Sequence, residues 1–202
     1  MNLRTELPTA ENSSNFNAVA DAVTKAGTTL ENLKAAVAGE TGASAKYAAF
    51  AKAAKEQGFD QLARLWEATS AAEQIHINLE ASLVEAEDPS YTRPTAEAPT
   101  PEAIDLNLIA SANGEIFETS DMYPTFIKKA QEEGHAKAVK VFTRAKLAEA
   151  VHAEKYLEAY NNIDAADDDA YYLCPGCGYI HKGDDLEKCP ICGVPKAKFQ
   201  RF

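Results

Sequence analysis

The chain has 202 residues, 46% hydrophobic and 25% charged, which suffices for one well-filled core plus a small satellite module. Its formal net charge of -11 argues against a nucleic-acid partner, whose phosphates require a basic face. No stretch approaches the ~20 apolar residues that span a membrane, and no apolar h-region follows Met1, so a cytoplasmic location is the expectation.

Abundant Ala and the lack of β-branched runs point to a mainly helical fold. Residues 1–27 are polar and read as an arm. Thr28 and Glu31 then form a capping box that opens a long helix. Its seam is Leu33, Val37, Glu40, Ser44, Tyr47, Ala51 and Ala54, and Gly58 closes it. Asp60 is the expected cap of a second helix over about 60–86, with Leu62, Trp66, Thr69, Glu73, His76, Leu79 and Leu83 on its seam. Pro89, Pro94, Pro99 and Pro101 then enforce a connection of about 15 residues, long enough to cross from one end of a domain to the other. A third helix over about 102–133 carries Leu108, Ala112, Glu115, Glu118, Met122 and Phe126, with Pro124 expected to kink it or loosen a backbone hydrogen bond. Gly134 closes it. A fourth helix over about 135–161 carries Phe142, Ala145, Glu149, His152 and Tyr156.

The two helical pairs repeat. Glu40 matches Glu115 at an offset of 75, and the offset becomes 76 for Tyr47 and Tyr123, Glu73 and Glu149, and His76 and His152. Two helical hairpins joined by one long crossover are the topology of a ferritin-like four-helix bundle over 28–161.

Every seam carries Glu where an apolar residue belongs. An unpaired buried carboxylate costs several kcal/mol or must stay protonated, so Glu40, Glu73, Glu115, Glu118 and Glu149 converging with His76 and His152 make sense around cations. One Glu from each of two helices and Glu-x-x-His from each of the others is a dimetal arrangement, and these donors suit iron or manganese. Glu118 exceeds that minimum, which suggests that one ion changes partners between oxidation states. Tyr47 and Tyr123 share these faces, either as core aromatics or as hydrogen-bond donors to the ligating carboxylates. His135 and His181 fall outside the pattern.

An acidic linker over 162–170 leads to a different kind of segment, 171–202. Cys174, Cys177, Cys189 and Cys192 form two C-x-x-C knuckles, which without a secretory signal read as a tetrathiolate metal site rather than disulfides. Spacing does not separate zinc from iron there. Beside a redox-capable dimetal bundle, a one-electron iron centre makes more sense because it could feed electrons inward.

Glu40, Glu73-x-x-His76, Glu115-x-x-Glu118, Glu149-x-x-His152 and the terminal C-x2-C-x11-C-x2-C together resemble the rubrerythrin family over residues 28 to 202. The resemblance implies a ferritin-like bundle with a small rubredoxin-like domain and a non-haem di-iron peroxidase protecting against oxidative stress by reducing hydrogen peroxide to water. It further implies that Glu73 and Glu149 bridge the irons, and that Glu40, Glu115, Glu118 and His152 complete the oxidised site. On reduction, the resemblance implies, one iron would exchange the Glu118 carboxylate for His76. The mononuclear iron held by the four cysteines would return electrons to the bundle across a head-to-tail homodimer. With no Gly-rich nucleotide fingerprint in the chain, NAD(P)H electrons would arrive through an external reductase or a small redox protein. Competing readings are a ferroxidase or iron store, and a zinc-ribbon interaction module on a structural bundle.

Overall fold

The computed structural model describes residues 23–163 and 168–202; most of the expected arm and part of the expected linker therefore lie outside the described residues. Helix α1 (Thr29–Glu56) opens on the expected capping box: Glu31 N–H donates to Thr28 Oγ1 at 3.2 Å, and Thr28 N–H to Glu31 Oε2 at 2.7 Å. It ends before Gly58, whose φ of 83° is strained for a side chain and free for Gly. Helix α2 (Asp60–Glu87) starts one residue earlier than expected. Phe59 occupies the cap position without a side-chain bond, and Asp60 sits inside the first turn, where its charge favours the helix dipole instead.

The crossover over 88–103 has no helix or strand and is pinned at its start. Lys34 Nζ meets Asp88 Oδ2 at 2.8 Å, while Arg93 reaches back to Glu85 Oε1 and Asn78 Oδ1, both at 2.7 Å. The third rod is interrupted where Pro124 demanded it. Helix α3 (Ile104–Phe117) passes into a π-helical turn (Glu118–Met122) and then into α4 (Tyr123–Glu132). Tyr123 N–H donates to Glu118 C=O, five residues back, and Pro124 has no N–H to continue the α pattern. Asp121 in this turn accepts from Val23 N–H at 3.2 Å, and from Thr24 N–H and Oγ1 at 3.1 Å, tying down the start of the described chain. His135, expected to be an ordinary polar residue, caps helix α5 (Ala136–Asn161) through Nδ1, which accepts from Ala138 N–H at 3.1 Å.

The four rods form the expected bundle, α1 on α2 and the broken rod on α5. Its core falls into two apolar ends. Leu33, Phe126, Phe142 and Met122 fill one, and Phe50, Leu65, Trp66 and Leu108 the other. The carboxylates occupy the layer between, along all four rods. One seam differs from expectation. Past His76, α2 buries Glu80 and Val84 and leaves Leu79 and Leu83 only half-buried, because the next inward position lies four residues on, not three.

Residues 171–202 form a three-stranded antiparallel sheet in the order β2-β1-β3: β1 (Tyr171–Leu173), β2 (Ile180–Lys182) and β3 (Gln200–Arg201). Tyr171, Leu173 and Ile180 pack into the second apolar end of the bundle. The cysteine knuckles are thereby set against the carboxylate layer.

Candidate metal centres

Helical spacing alone puts Glu73 with His76, and Glu149 with His152, on single faces about one turn apart. The bundle turns those faces toward each other. His76 Nδ1 lies 3.0 Å from Glu73 Oε2 and 2.7 Å from Glu149 Oε1; His152 Nδ1 lies 2.7 Å from Glu149 Oε2 and 3.4 Å from Glu115 Oε2. The imidazole rings stack with centroids 6.2 Å apart. All seven expected residues are buried, and six of them fall into two donor groups: Glu40, Glu73, His76 and Glu149, and Glu73, Glu115, Glu149 and His152. Within each group the donor atoms lie within 4.8 Å of one another. Glu73 and Glu149 belong to both. Glu118 stands beside them on the π turn, outside either group.

The outer edges of the imidazoles explain what the inner edges can do. His76 Nε2 sits 3.0 Å from Cys177 C=O, and His152 Nε2 sits 2.8 Å from Gly178 C=O. A carbonyl only accepts, so each Nε2 carries a proton, and each Nδ1 faces a Glu149 oxygen at 2.7 Å. That approach is relieved either by a proton on Nδ1 or by a metal cation bound to its lone pair. Glu40 Oε2, Glu73 Oε1, Glu115 Oε2, both oxygens of Glu149 and His152 Nδ1 are buried without hydrogen-bond partners, as metal ligands would be.

Left to protons alone, the layer is badly strained electrostatically. Burial pushes Glu40 and Glu118 far above the ordinary carboxylate range, helped for Glu40 by the repulsion of Glu118 and for Glu118 by that of Glu115, and pushes Glu115 to about 8. Burial also opposes charge on Glu149, yet the flanking imidazoles hold its carboxyl low. Burial disfavours charged imidazoles, but Glu149 above all raises both histidines. Divalent cations would take the place of all these shared protons.

Both candidate tyrosines reach carboxylates in the other half of the repeat. Tyr47 O–H donates to Glu115 Oε1, and Tyr123 O–H to Glu40 Oε1. Sequence reasoning missed Glu80, a fully buried carboxylate 2.9 Å from the Tyr123 hydroxyl. The available signal was its place four residues past His76. It also missed the two knuckle carbonyls, since nothing in the sequence says which backbone groups will meet the imidazoles.

The four cysteine sulfurs form their own group, all within 4.8 Å of one another. The pairs Cys174–Cys192 and Cys177–Cys189 are 3.4 and 3.5 Å apart, far beyond a disulfide. A tetrahedron of sulfurs at a metal–sulfur bond of ~2.3 Å has edges of about 3.8 Å, close to these spacings. Gly178 and Gly193, each following the second Cys of a knuckle, have φ of 78° and 77°. Cys192 N–H approaches Cys189 Sγ at 3.4 Å. His181, outside both sites, pairs with Asp185 at 2.7 Å.

Residues 31–160 match the family model described as rubrerythrin, and residues 172–200 match the rubrerythrin rubredoxin-like domain. The chain is 66% identical over 202 residues to nigerythrin of Nitratidesulfovibrio vulgaris strain Hildenborough, covering 100% of both chains. It is 34% identical over 184 residues to rubrerythrin of the same organism, covering 87% of this chain and 95% of that one. A solved structure of nigerythrin described as fully reduced, all ferrous, superposes with a TM-score of 0.92 at 66% identity over the whole of both chains. The two donor sets are accordingly a di-iron site in the bundle and a rubredoxin-type iron site in the knuckles.

Proposed function

For a chain that belongs to the rubrerythrin family, we propose the work of a non-haem peroxidase that reduces hydrogen peroxide to water and so protects against oxidative stress. The di-iron pair would supply the two electrons that cleave the O–O bond. The observation that carries the reading is the contact between the two sites. Cys177 is a thiolate ligand through its side chain, and its backbone carbonyl accepts from His76 Nε2 at 3.0 Å. One residue and one hydrogen bond connect the electron-storing module to the dimetal layer. A ferroxidase or iron store has no use for such a return path.

Each protein group then has a definite task. Glu73 and Glu149 would be shared by the two ions, since each offers an oxygen to both donor groups. Glu40 would serve one ion; Glu115 and His152 would serve the other. His76 and Glu118 would compete for the first ion. The arrangement with His76 among the donors and Glu118 outside supports their exchange, with His76 the ligand of the reduced state. A π turn is a fitting base for a side chain that must come and go, because its backbone bonds are longer-spaced and more easily rearranged than those of an α-helix. Tyr47 and Tyr123 hold Glu115 and Glu40 in place during the exchange.

The knuckles lie against the bundle of their own chain. The same contact made by a partner's knuckles in a head-to-tail homodimer would serve the same chemistry. Electrons from NAD(P)H would enter through a separate reductase or a small redox protein, in the cytoplasm. No described helix is long and apolar enough to cross a membrane. The decisive experiment measures NADH-dependent peroxide consumption by the iron-loaded protein with a reductase added. Consumption well above that of the reductase alone is expected; none above it would remove the peroxidase reading.

A further inference from the structure

Glu80 is fully buried on α2, is not one of the ion-bridging donors, and contacts the hydroxyl of Tyr123 at 2.9 Å. That hydroxyl is shared, since Tyr123 also donates to Glu40 Oε1. A phenol carries a single proton and can donate one hydrogen bond. In the metal-loaded protein Glu40 is an ionised ligand and can only accept, so the Tyr123 proton belongs to that bond. The approach of Glu80 Oε1 to the Tyr123 oxygen then needs a second proton, and Glu80 is the group able to bring it.

We propose that Glu80 is a neutral carboxylic acid and a positioning residue: its proton, donated to the Tyr123 oxygen, commits Tyr123 to Glu40. An ionised Glu80 would instead compete for the Tyr123 proton and release Glu40. The inference rests on Glu40 being a metal ligand, as in the function proposed above.

Two further observations support it. Glu80 Oε2 is buried without a partner, tolerable for the carbonyl oxygen of an acid and costly for a carboxylate. Burial also pushes the Glu80 acid up to about 8, against the pull of His76. The groups facing it are Glu73 and His76 on its own helix, Glu40 on α1, Tyr123 on α4, Glu149 on α5 and Tyr91 in the crossover.

The device acts on one ion alone. The repeat at offset 76 places Tyr156 opposite Glu80, and Tyr156 lies with its ring 5.5 Å from that of Tyr47. Tyr47 therefore holds Glu115 with no acid behind it. Glu40 is thus the more tightly oriented of the two terminal carboxylates, on the side where His76 and Glu118 exchange.

The test uses the oxidised, iron-loaded full chain, the state in which the proposed exchange makes Glu118 a ligand, and the variants Glu80→Gln and Glu80→Leu. In the loaded protein the ligand carboxylates are ionised, so infrared spectroscopy at neutral pH should show a carboxylic-acid C=O band from a buried site. The band should vanish in both variants. Gln keeps an N–H donor for the Tyr123 oxygen and should lose about twofold in peroxide turnover, whereas Leu should lose roughly tenfold, the low end for groups that orient metal ligands. A wild-type spectrum without the band, or a band that survives Glu80→Gln, overturns the inference. Equal turnover losses in Gln and Leu also count against it. The infrared result is independent of peroxide chemistry, so an inactive wild-type protein that shows the band would refute the peroxidase function and leave the Glu80 assignment standing.

Discussion

Replacing Gly178 by Ala tests whether the knuckle contact is the electron route. A Cβ at this position would lie 2.4 Å from His76 Nε2 and 3.1 Å from its Cε1. Ordinary contact needs about 3.5 Å, so the knuckle must retreat by about 1 Å. The His76 Nε2–Cys177 bond at 3.0 Å would then open to about 4 Å, and the His152 Nε2–Gly178 bond at 2.8 Å would stretch comparably. Two lost hydrogen bonds at about 1 kcal/mol each weaken docking by about 2 kcal/mol, roughly thirtyfold in the docked population; the cost of a Cβ in the left-handed region, about 1–2 kcal/mol, falls on the knuckle whether docked or not.

Gly193→Ala supplies the control. Its φ is 77°, so it carries the same backbone penalty, yet an added Cβ there meets nothing within 4 Å. The assay is stopped-flow mixing of each reduced, iron-loaded protein with hydrogen peroxide, following recovery of the oxidised iron–tetrathiolate absorption. Gly178→Ala should slow that recovery at least tenfold relative to Gly193→Ala, with iron content alike in the two. Equal rates would show that electrons do not pass through this contact.

His76→Ala should leave the oxidised centre nearly intact and slow peroxide turnover by about tenfold or more, because only the reduced arrangement loses its imidazole; turnover equal to wild type would remove His76 from the exchange. The metal-free protein should lose thermal stability as pH rises from about 4.5 to about 8. Glu115 is pushed to about 8, and Glu40, Glu73 and Glu118 are raised as well, so in that window the folded chain binds more protons than the unfolded one. The raised histidines act in the same direction, while Glu149, held low, is ionised in both states across this window and acts only below it. Calorimetric melting across this range checks it; a midpoint that climbs with pH would contradict the burial argument. The iron-loaded protein, whose ligand carboxylates are already ionised, should lack the decline.

Much of the bundle was legible in the sequence because its signals are local or periodic. The Thr28–Glu31 box, the closing glycines Gly58 and Gly134, and Pro124 act within a turn of themselves and appear where expected. The repeat at 75 and 76 carried the rest, because a Glu at one seam position is ambiguous whereas its recurrence at a matching position on another helix is not. The errors are also local in origin. Asp60 and Phe59 compete for one cap within one residue, and the seam past His76 advances by four to Glu80, where spacing alone also allowed Leu79.

Residue type and spacing along single elements were enough to say which side chains could bind metal: two Glu-x-x-His units, three further seam carboxylates and four paired cysteines. Packing alone settled how they divide. It made Glu73 and Glu149 common to both donor groups, brought Tyr47 and Tyr123 across to the opposite half, set Glu80 behind Tyr123, and turned the carbonyls of Cys177 and Gly178 toward the histidines. Periodicity fixes the face on which a side chain lies, but the partner it meets depends on how separate rods and knuckles come together. Backbone carbonyls, identical in every residue, leave no mark in a sequence.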